Sequence, residues 1–399
     1  MRAPADGRMR PQEKAPVLAP GVTVGVLGGG QLGRMLALEG VRLGYRFVAL
    51  DPAADAPCAA VADLICADYG DEDGLAELAA RADVITYEFE NVDAAAVERL
   101  ERAAPVPQGS RLLRLAQHRL REKEALQAAG IPVAPFAAVA SAGEVRRALR
   151  AFGGAGVLKT ATGGYDGKGQ RMLRQESEAE AAYAELSALA PELVLEAFVP
   201  FEHELSVIAA RSPRGEIAVF PAAENIHREH ILHLSIVPAR IPAGVQADAE
   251  RLARRIAEAL DVVGLIAVEM FLTAEGQLLV NELAPRPHNS GHYTMDACRT
   301  SQFEQHLRAI CNLPLGPTGL VSPVVMANLL GEDAADMVQW FRTDDPAAER
   351  YGVTPKLHWY GKSEAKPKRK MGHVNIVAPS TEAALAWMRE SNMWRNTRR

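Results

Sequence analysis

The chain has 399 residues, 48% hydrophobic and 24% charged, with a net charge of −6. At roughly 100–200 residues per domain it has room for two to four globular domains, and nothing in its charge marks a nucleic-acid or membrane partner. No apolar run nears the roughly 20 residues that cross a bilayer, the proline-rich first twenty residues lack a secretory apolar core, and Cys58, Cys66, Cys298 and Cys311 show no CxxC spacing, so a cytoplasmic protein with reduced thiols is expected.

Residues 1–20 read as a disordered tail. Val22–Leu27 reads as a strand that runs into Gly28-Gly29-Gly30-Gln31-Leu32-Gly33. A helix over Arg34–Leu43 and a strand over Phe47–Leu50, ending at Asp51, complete a βαβ opening. Gly28, Gly30 and Gly33 fit G-x-G-x-x-G, which suggests a dinucleotide with Asp51 on a ribose. The physics is broader, because glycines admit any ligand and a helix N-terminus favours any anion. Asp51 could equally cap a turn with Pro52. Strands over Ala62–Cys66 and Val84–Tyr87 flank a helix at Glu72–Arg81, and the second leads into Glu88-Phe89-Glu90-Asn91. Ligands of open α/β sheets bind beyond the carboxyl ends of strands, so Glu88 is a candidate for a sugar hydroxyl or amine. Glu90 could instead be a helix-start carboxylate.

The helix Gln117–Ala129 ends at Gly130-Ile131-Pro132, with Arg119 and Lys123 four apart on one face. They are either solvated or aimed at a phosphate. Next comes a helix over Gly143–Phe152 and an apolar strand, Gly156–Thr160, that carries Lys159, a costly place for an unpaired ammonium. Four glycines in the loop to the strand Arg171–Leu173 make Gly164, Tyr165, Asp166, Gly167, Lys168, Gly169 and Gln170 a candidate phosphate flap. It is not a Walker A loop, since Thr162 and Gly169 stand where that motif needs Gly and Ser or Thr. A helix at Glu178–Leu189 precedes Leu193–Val199, whose end, Glu196-Ala197-Phe198-Val199, suits an adenine base. Glu204 opens a strand through Ala209 and could take ribose hydroxyls. Ala218–Pro221 reads as a further strand, and His227 alone reads as structural.

A helix at Asp248–Leu260 leads to two apolar runs, Leu265–Leu272 and Gln277–Glu282, around Ala274-Glu275-Gly276, which is a β-hairpin. Glu269 and Glu282 stand on its two arms with Asn281 beside them. Two carboxylates plus phosphate oxygens are a common way to hold Mg²⁺. Arg286, His288 and Asn289 follow, on a course kept extended by Pro285 and Pro287. After a helix over Ser301–Cys311, Lys362, Lys366, Lys368, Arg369 and Lys370 form a short basic run, better sized for one phosphate dianion than for nucleic acid.

These parts, in this order, resemble those of an ATP-grasp enzyme. Gly28–Met35, Tyr87–Val92, Gly164–Gln170, Asn281–His292 and Tyr360–His373 together resemble the N5-carboxyaminoimidazole ribonucleotide synthetases, ATP-dependent carboxylases of purine synthesis, from about Gly21 to the C-terminal helix. The resemblance implies an α/β ATP-grasp fold with an N-terminal Rossmann-like domain at 21–118. An ATP-grasp domain follows at 119–312, its flap-bearing part at about 130–200, and a small β-rich domain at 313–399. It implies that Arg119, Lys159, the Gly164–Gln170 flap, Glu196, Ala197, Phe198, Val199, Glu204, His227, Asn281 and Glu282 hold ATP, and that Glu269 and Glu282 hold Mg²⁺. Gln31, Leu32 and Glu88 would bind aminoimidazole ribonucleotide, and Lys362, Arg369 and Lys370 its phosphate. Arg286, His288 and Asn289 would surround bicarbonate. Asp166 is the first candidate to take the amine proton and His288 the second. No nucleic-acid or membrane partner is implied, and a homodimer is. Lys168 stands where an arginine is common, which keeps charge but loses the planar fork. A formate-using glycinamide ribonucleotide formyltransferase has similar parts, but Gln31 and Asn289-Ser290-Gly291-His292 favour the carboxylase. A Rossmann NAD(P) oxidoreductase would explain Gly28–Gly33 and Asp51 but neither the flap, the carboxylate pair nor the basic run.

Overall fold

The computed structural model describes residues 16–164, 167–391 and 394. Its first sheet is parallel, in the order Asp63–Cys66, Arg46–Asp51, Thr23–Leu27, Val84–Tyr87. Strands covered on both faces read as continuous apolar runs, and Val84–Tyr87 is buried at every position. The helix expected from Arg34 starts at Gln31 instead. Apolar periodicity begins late because Gly33 occupies the first turn, and the earlier start puts Gln31 and Leu32 at the helix N-terminus, beyond the strand ends. The helix Glu72–Arg81 lies where expected, its first turn closed by Asp71 accepting from the Gly74 N–H.

A small antiparallel sheet runs Phe136–Val139, Leu193–Ala197, Gly156–Thr160, Gln170–Leu173. The helices Ala142–Ala151 and Ala179–Ser187 close it, packing Val145, Leu149 and Leu186 on Leu158 and Leu195. The glycine-rich loop joins its last two strands.

The largest sheet has nine strands. Its main order is Leu278–Ala284, Gly264–Thr273, Phe201–Arg211, Ala223–Arg228, Ile231–Val237, Val324–Leu330, Lys370–Val377, Thr354–Trp359, with Ile217–Val219 on the strand Phe201–Arg211. The strand expected from Glu204 starts earlier, at Phe201, because Glu202 and His203 break the apolar pattern, and Glu224, Asn225 and His227 hid the strand Ala223–Arg228. The C-terminal strands continue this sheet through the pairing of Ile231–Val237 with Val324–Leu330, so the basic hairpin is carried on the same β-layer as the carboxylates. Among the described residues no helix is long and apolar enough to cross a membrane.

The expected hairpin is present, and Glu269 pairs directly with Glu282. Met270 then pairs with Val280, so Asn281 is the extra residue of a bulge beside the carboxylates. Bulges re-aim side chains and are frequent next to active sites.

Candidate active site

The glycine turn is filled by the protein itself. Glu88, at the end of the strand Val84–Tyr87, accepts from the Gly30 N–H at 2.5 Å and from the Gly33 N–H. A Cβ on Gly28 or Gly30 would meet the Glu88 side chain at 2.5 Å, which is why only glycine fits there. The anion at this helix N-terminus is therefore a carboxylate of the chain. Burial pushes that carboxyl up to about 7, against the pull of the two backbone donors. Asp51 is spent likewise: it accepts from the Gly29 N–H, the Ala53 N–H and the Tyr69 hydroxyl. Neither the turn nor Asp51 is free for a dinucleotide, which removes the oxidoreductase reading; the turn cap is the role Asp51 plays.

Beside this turn lies a cleft of about 560 Å³. Lys159, on the strand Gly156–Thr160, is held by Glu196 at 3.0 Å, and Lys123, on the helix Arg119–Ala128, approaches the same carboxylate oxygen at 3.4 Å. Burial pulls the Lys159 ammonium below its ordinary range; at Glu196 burial is outweighed by the two lysines, which keep the carboxyl low. Glu196 Oε1 is buried with no partner among the described residues. Breaking such a buried pair leaves a charge uncompensated. Lys159→Met is expected to cost about 3 kcal/mol in denaturant unfolding; an unchanged midpoint would contradict the pairing. Ala197, Phe198, Val199, Phe201 and Phe271 line the apolar end of the cleft, the last two stacked at 4.6 Å. Glu204 and His227 also line it and form an ion pair, so His227 has a partner in the site rather than a solitary structural place.

Arg119 donates to Glu282 at 2.9 Å and to the Gly164 carbonyl at 3.3 Å, tying the hairpin to the start of the flap. Lys123 donates to the Asn281 carbonyl at 3.1 Å. Gly164, Gly167, Lys168 and Gln170 line the cleft; Gly169 does not, packing instead against Thr160. Tyr165 and Asp166 lie outside the described residues. Glu269 is held above the ordinary carboxylate range by burial and then by the Glu282 charge, whereas at Glu282 burial is outweighed by Arg119. Two facing carboxylates that resist joint ionisation, with Asn281 Oδ1 buried beside them and without a partner among the described residues, suit a hard dication. Among the described residues no group of three or more His, Cys, Asp or Glu gathers to hold a metal, so a cation here would need further oxygens from a phosphate ligand.

The loop after the hairpin adds the donors. Arg286 forms a two-point ion pair with Glu90, Nη2 at 2.8 Å from Oε1. Glu90 is thus not a helix-start carboxylate; Asp93 caps the helix Ala94–Ala103. His288 Nε2 lies 3.2 Å from Glu269, and burial pushes the imidazole down to about 3. Both amide atoms of Asn289 are buried without partners among the described residues, and the residue lines the cleft. Gln31, Leu32 and Lys370 line it too. Lys362 and Arg369 line a smaller adjoining pocket of about 180 Å³ with Gly30, Asp51 and Ser363. Burial and the neighbouring Arg369 and Lys370 charges pull Lys362 down to about 8, which marks a place an anion would relieve. Lys366 and Lys368 pair with Glu364 and Glu229, so the cations of the run divide into paired surface groups and a site-facing set.

Sequence reasoning missed Phe201, Phe271 and Glu122 and left Glu90 open. Glu122 is buried, accepts from the Leu283 N–H at 3.2 Å, and is pushed by burial up to about 8. A carboxylate beside Arg119 and Lys123, in a helix whose charged face reads equally as solvated or phosphate-facing, carries no signal of such a place.

Comparison with known proteins agrees with this layout. An ATP-grasp domain matches residues 124–303, a ribonucleotide synthetase preATP-grasp domain residues 22–117, and a phosphoribosylaminoimidazole carboxylase C-terminal domain residues 324–386. The N5-carboxyaminoimidazole ribonucleotide synthase of Bacillus subtilis (strain 168) is 48% identical over 382 residues, 95% of this chain and 97% of that protein. A crystal structure of an N5-carboxyaminoimidazole ribonucleotide synthetase as its ADP complex superposes with a TM-score of 0.90 at 49% identity, covering 96% of this chain and 100% of the other. The Aspergillus clavatus N5-carboxyaminoimidazole synthase with ADP and 5-aminoimidazole ribonucleotide gives 0.82 at 31% identity, covering 92% and 97%.

Proposed function

We infer, because the chain belongs to the N5-carboxyaminoimidazole ribonucleotide synthase family, that its cleft joins ATP cleavage to carboxylation of the ribonucleotide amine. It is a ligase-type enzyme that carboxylates 5-aminoimidazole ribonucleotide at the expense of ATP in purine biosynthesis. The observation that carries the finer reading is the Glu269–Glu282 pair, with Arg119 and Lys159 on one side and the Arg286–Asn289 loop on the other.

The base of ATP lies at the apolar end, against Phe198, Val199, Phe201 and Phe271. Lys159, Lys168, Arg119 and the backbone at Gly164, Gly167 and Gln170 meet the phosphates. Glu269 and Glu282 would hold Mg²⁺, which offsets charge on the transferring phosphoryl group. Bicarbonate sits among Arg286, His288 and Asn289; the two unpartnered amide atoms of Asn289 suit it. Bicarbonate oxygen attacks the γ-phosphorus and ADP leaves, giving carboxyphosphate, whose charge Arg286 stabilises by charge-assisted hydrogen bonds. Carboxyphosphate breaks to CO₂ and phosphate, a step that exclusion of water would protect. The ribonucleotide lies at Gln31 and Leu32, beside the turn that Glu88 fills, with its phosphate at Lys362, Arg369 and Lys370. Its exocyclic nitrogen bonds the CO₂ carbon and gives its proton to Asp166. His288 does not suit that proton transfer, because its Nε2 faces Glu269 and its basicity is low; its part is to hold Glu269 and the bound anion.

ADP release measured with ribonucleotide, ATP, Mg²⁺ and bicarbonate, each omitted in turn, tests this reading. Release should require all four and yield one carbamate per ADP. Release that ignores the ribonucleotide, or that formate sustains in place of bicarbonate, would overturn it.

A further inference from the structure

Gln302, the first residue of the helix Gln302–Ile310, has no assigned part in the reaction, yet it grips the loop that carries His288 and Asn289. Its side chain is wholly buried. Its Oε1 accepts from the His288 N–H at 2.9 Å, and its Nε2 donates to the His288 carbonyl at 2.8 Å. Bonds of opposite sense to one residue's backbone settle which end of the amide is which, since a flipped amide would set donor against donor and acceptor against acceptor. The Gln302 N–H donates to Thr294 Oγ1 at 2.8 Å, and that hydroxyl donates to the Gly291 carbonyl at 2.6 Å. A Cβ on Gly291 would meet Gln302 Oε1 at 2.6 Å, so the turn lies directly on the glutamine.

The remaining Nε2 proton of Gln302 points at His292 Nδ1, 3.0 Å away. That nitrogen must therefore accept, and the ring proton must sit on Nε2. A second proton on Nδ1 would face an N–H. The ring lines the cleft, stacked on His373 with centroids 4.7 Å apart. Burial holds the imidazole well below its ordinary range, which agrees with a neutral ring. At His288, Nδ1 faces the Ser290 hydroxyl at 2.9 Å and the Ser290 N–H at 3.4 Å, while Nε2 faces Glu269.

We propose that Gln302 is a positioning residue for the carboxyl-donor loop and that it holds His292 as a neutral Nε2–H donor for an oxyanion in the cleft, of the class of bicarbonate or an acyl phosphate. This rests on the reading that the Arg286–Asn289 loop receives the carboxyl donor. The Gln302 amide sets the loop backbone and the tautomer of one ring at once, and neither duty is met by an apolar or anionic side chain of like size.

Nitrogen-15 spectra of the histidine side chains of the full chain test the tautomer without substrate. The signal of His292, identified by its loss in His292→Phe, should show a bare Nδ1 and a protonated Nε2; protonated Nδ1 would overturn the proposal. In kinetics, Gln302→Met and His292→Phe should each lower kcat/KM for bicarbonate about 10²-fold while KM for ATP holds. Gln302→Glu, which sets a carboxylate against the His288 carbonyl and His292 Nδ1, should move the His292 proton to Nδ1 with a similar loss. Should that variant fail to fold, the other two decide. Wild-type values for bicarbonate in both overturn the proposal, as does an equal rise in KM for ATP, the mark of general loosening. A wild-type enzyme indifferent to bicarbonate would sink the functional reading instead, and the tautomer would still be read independently.

Discussion

Glu282→Gln is expected to lower kcat about 10³-fold and leave the fold intact. The substitution keeps shape and leaves an acceptor for Arg119, which donates to this side chain at 2.9 Å. It removes one of two negative charges that meet the phosphoryl group, so the loss falls on the transition state, where charge on the transferring group must be offset. It also removes the charge that helps to hold the Glu269 carboxyl high. The free protein should still fold, with a denaturant midpoint lowered by the lost charge of the Arg119 pair, while the Mg²⁺ concentration needed for half-maximal ADP release rises. Turnover within a few-fold of wild type at saturating Mg²⁺ would remove Glu282 from the site.

Arg286→Lys is the second large effect. The guanidinium forks onto Glu90 and is buried with it, and an ammonium keeps the charge but cannot make two parallel bonds. Without the fork the charge is not held where the carboxyl group transfers. A fall of about 10²-fold in kcat/KM for bicarbonate, with KM for ATP held, is expected. The pair also sets an acid limit. Burial alone would raise the Glu90 carboxyl; the Arg286 charge and hydrogen bonds outweigh it and hold it at about 2, against an ordinary 4.5. A depressed carboxyl contributes stability that is fully present above the unfolded value and is lost as pH falls through the folded one. The wild type should lose this contribution between about pH 4.5 and pH 2, and the lysine variant should lose it nearer 4.5. An acid unfolding curve that does not move, with bicarbonate kinetics unchanged, would show that the pair does neither job.

The hairpin was legible because its chemistry is local. Glu269 and Glu282 stand on arms joined by one turn, and their pairing follows from it. Lys159 was legible because an ammonium on an apolar strand demands a partner, and Glu196 supplies it. Glu90 was not, since its partner Arg286 lies 196 residues away and only the docking of the first sheet against the hairpin brings them together. The glycine turn was misleading for a related reason. Its pattern states that something anionic comes close, and Glu88, 58 residues on from Gly30, is that group. Gln302 gave no sign, because a polar residue at a helix start is ordinary and its partners belong to a loop defined by tertiary packing. The expected proton acceptor, Asp166, falls outside the described residues, so its role rests on the resemblance alone.

Whether the γ-phosphoryl group passes to bicarbonate is read most directly with oxygen-18 bicarbonate in a complete reaction. Attack by a bicarbonate oxygen on phosphorus predicts one labelled oxygen in each inorganic phosphate and two in each carbamate. Phosphate without label, alongside labelled carbamate, would mean that ATP is cleaved by water and that the Glu269–Glu282 pair and the Arg286 loop do not act on one intermediate.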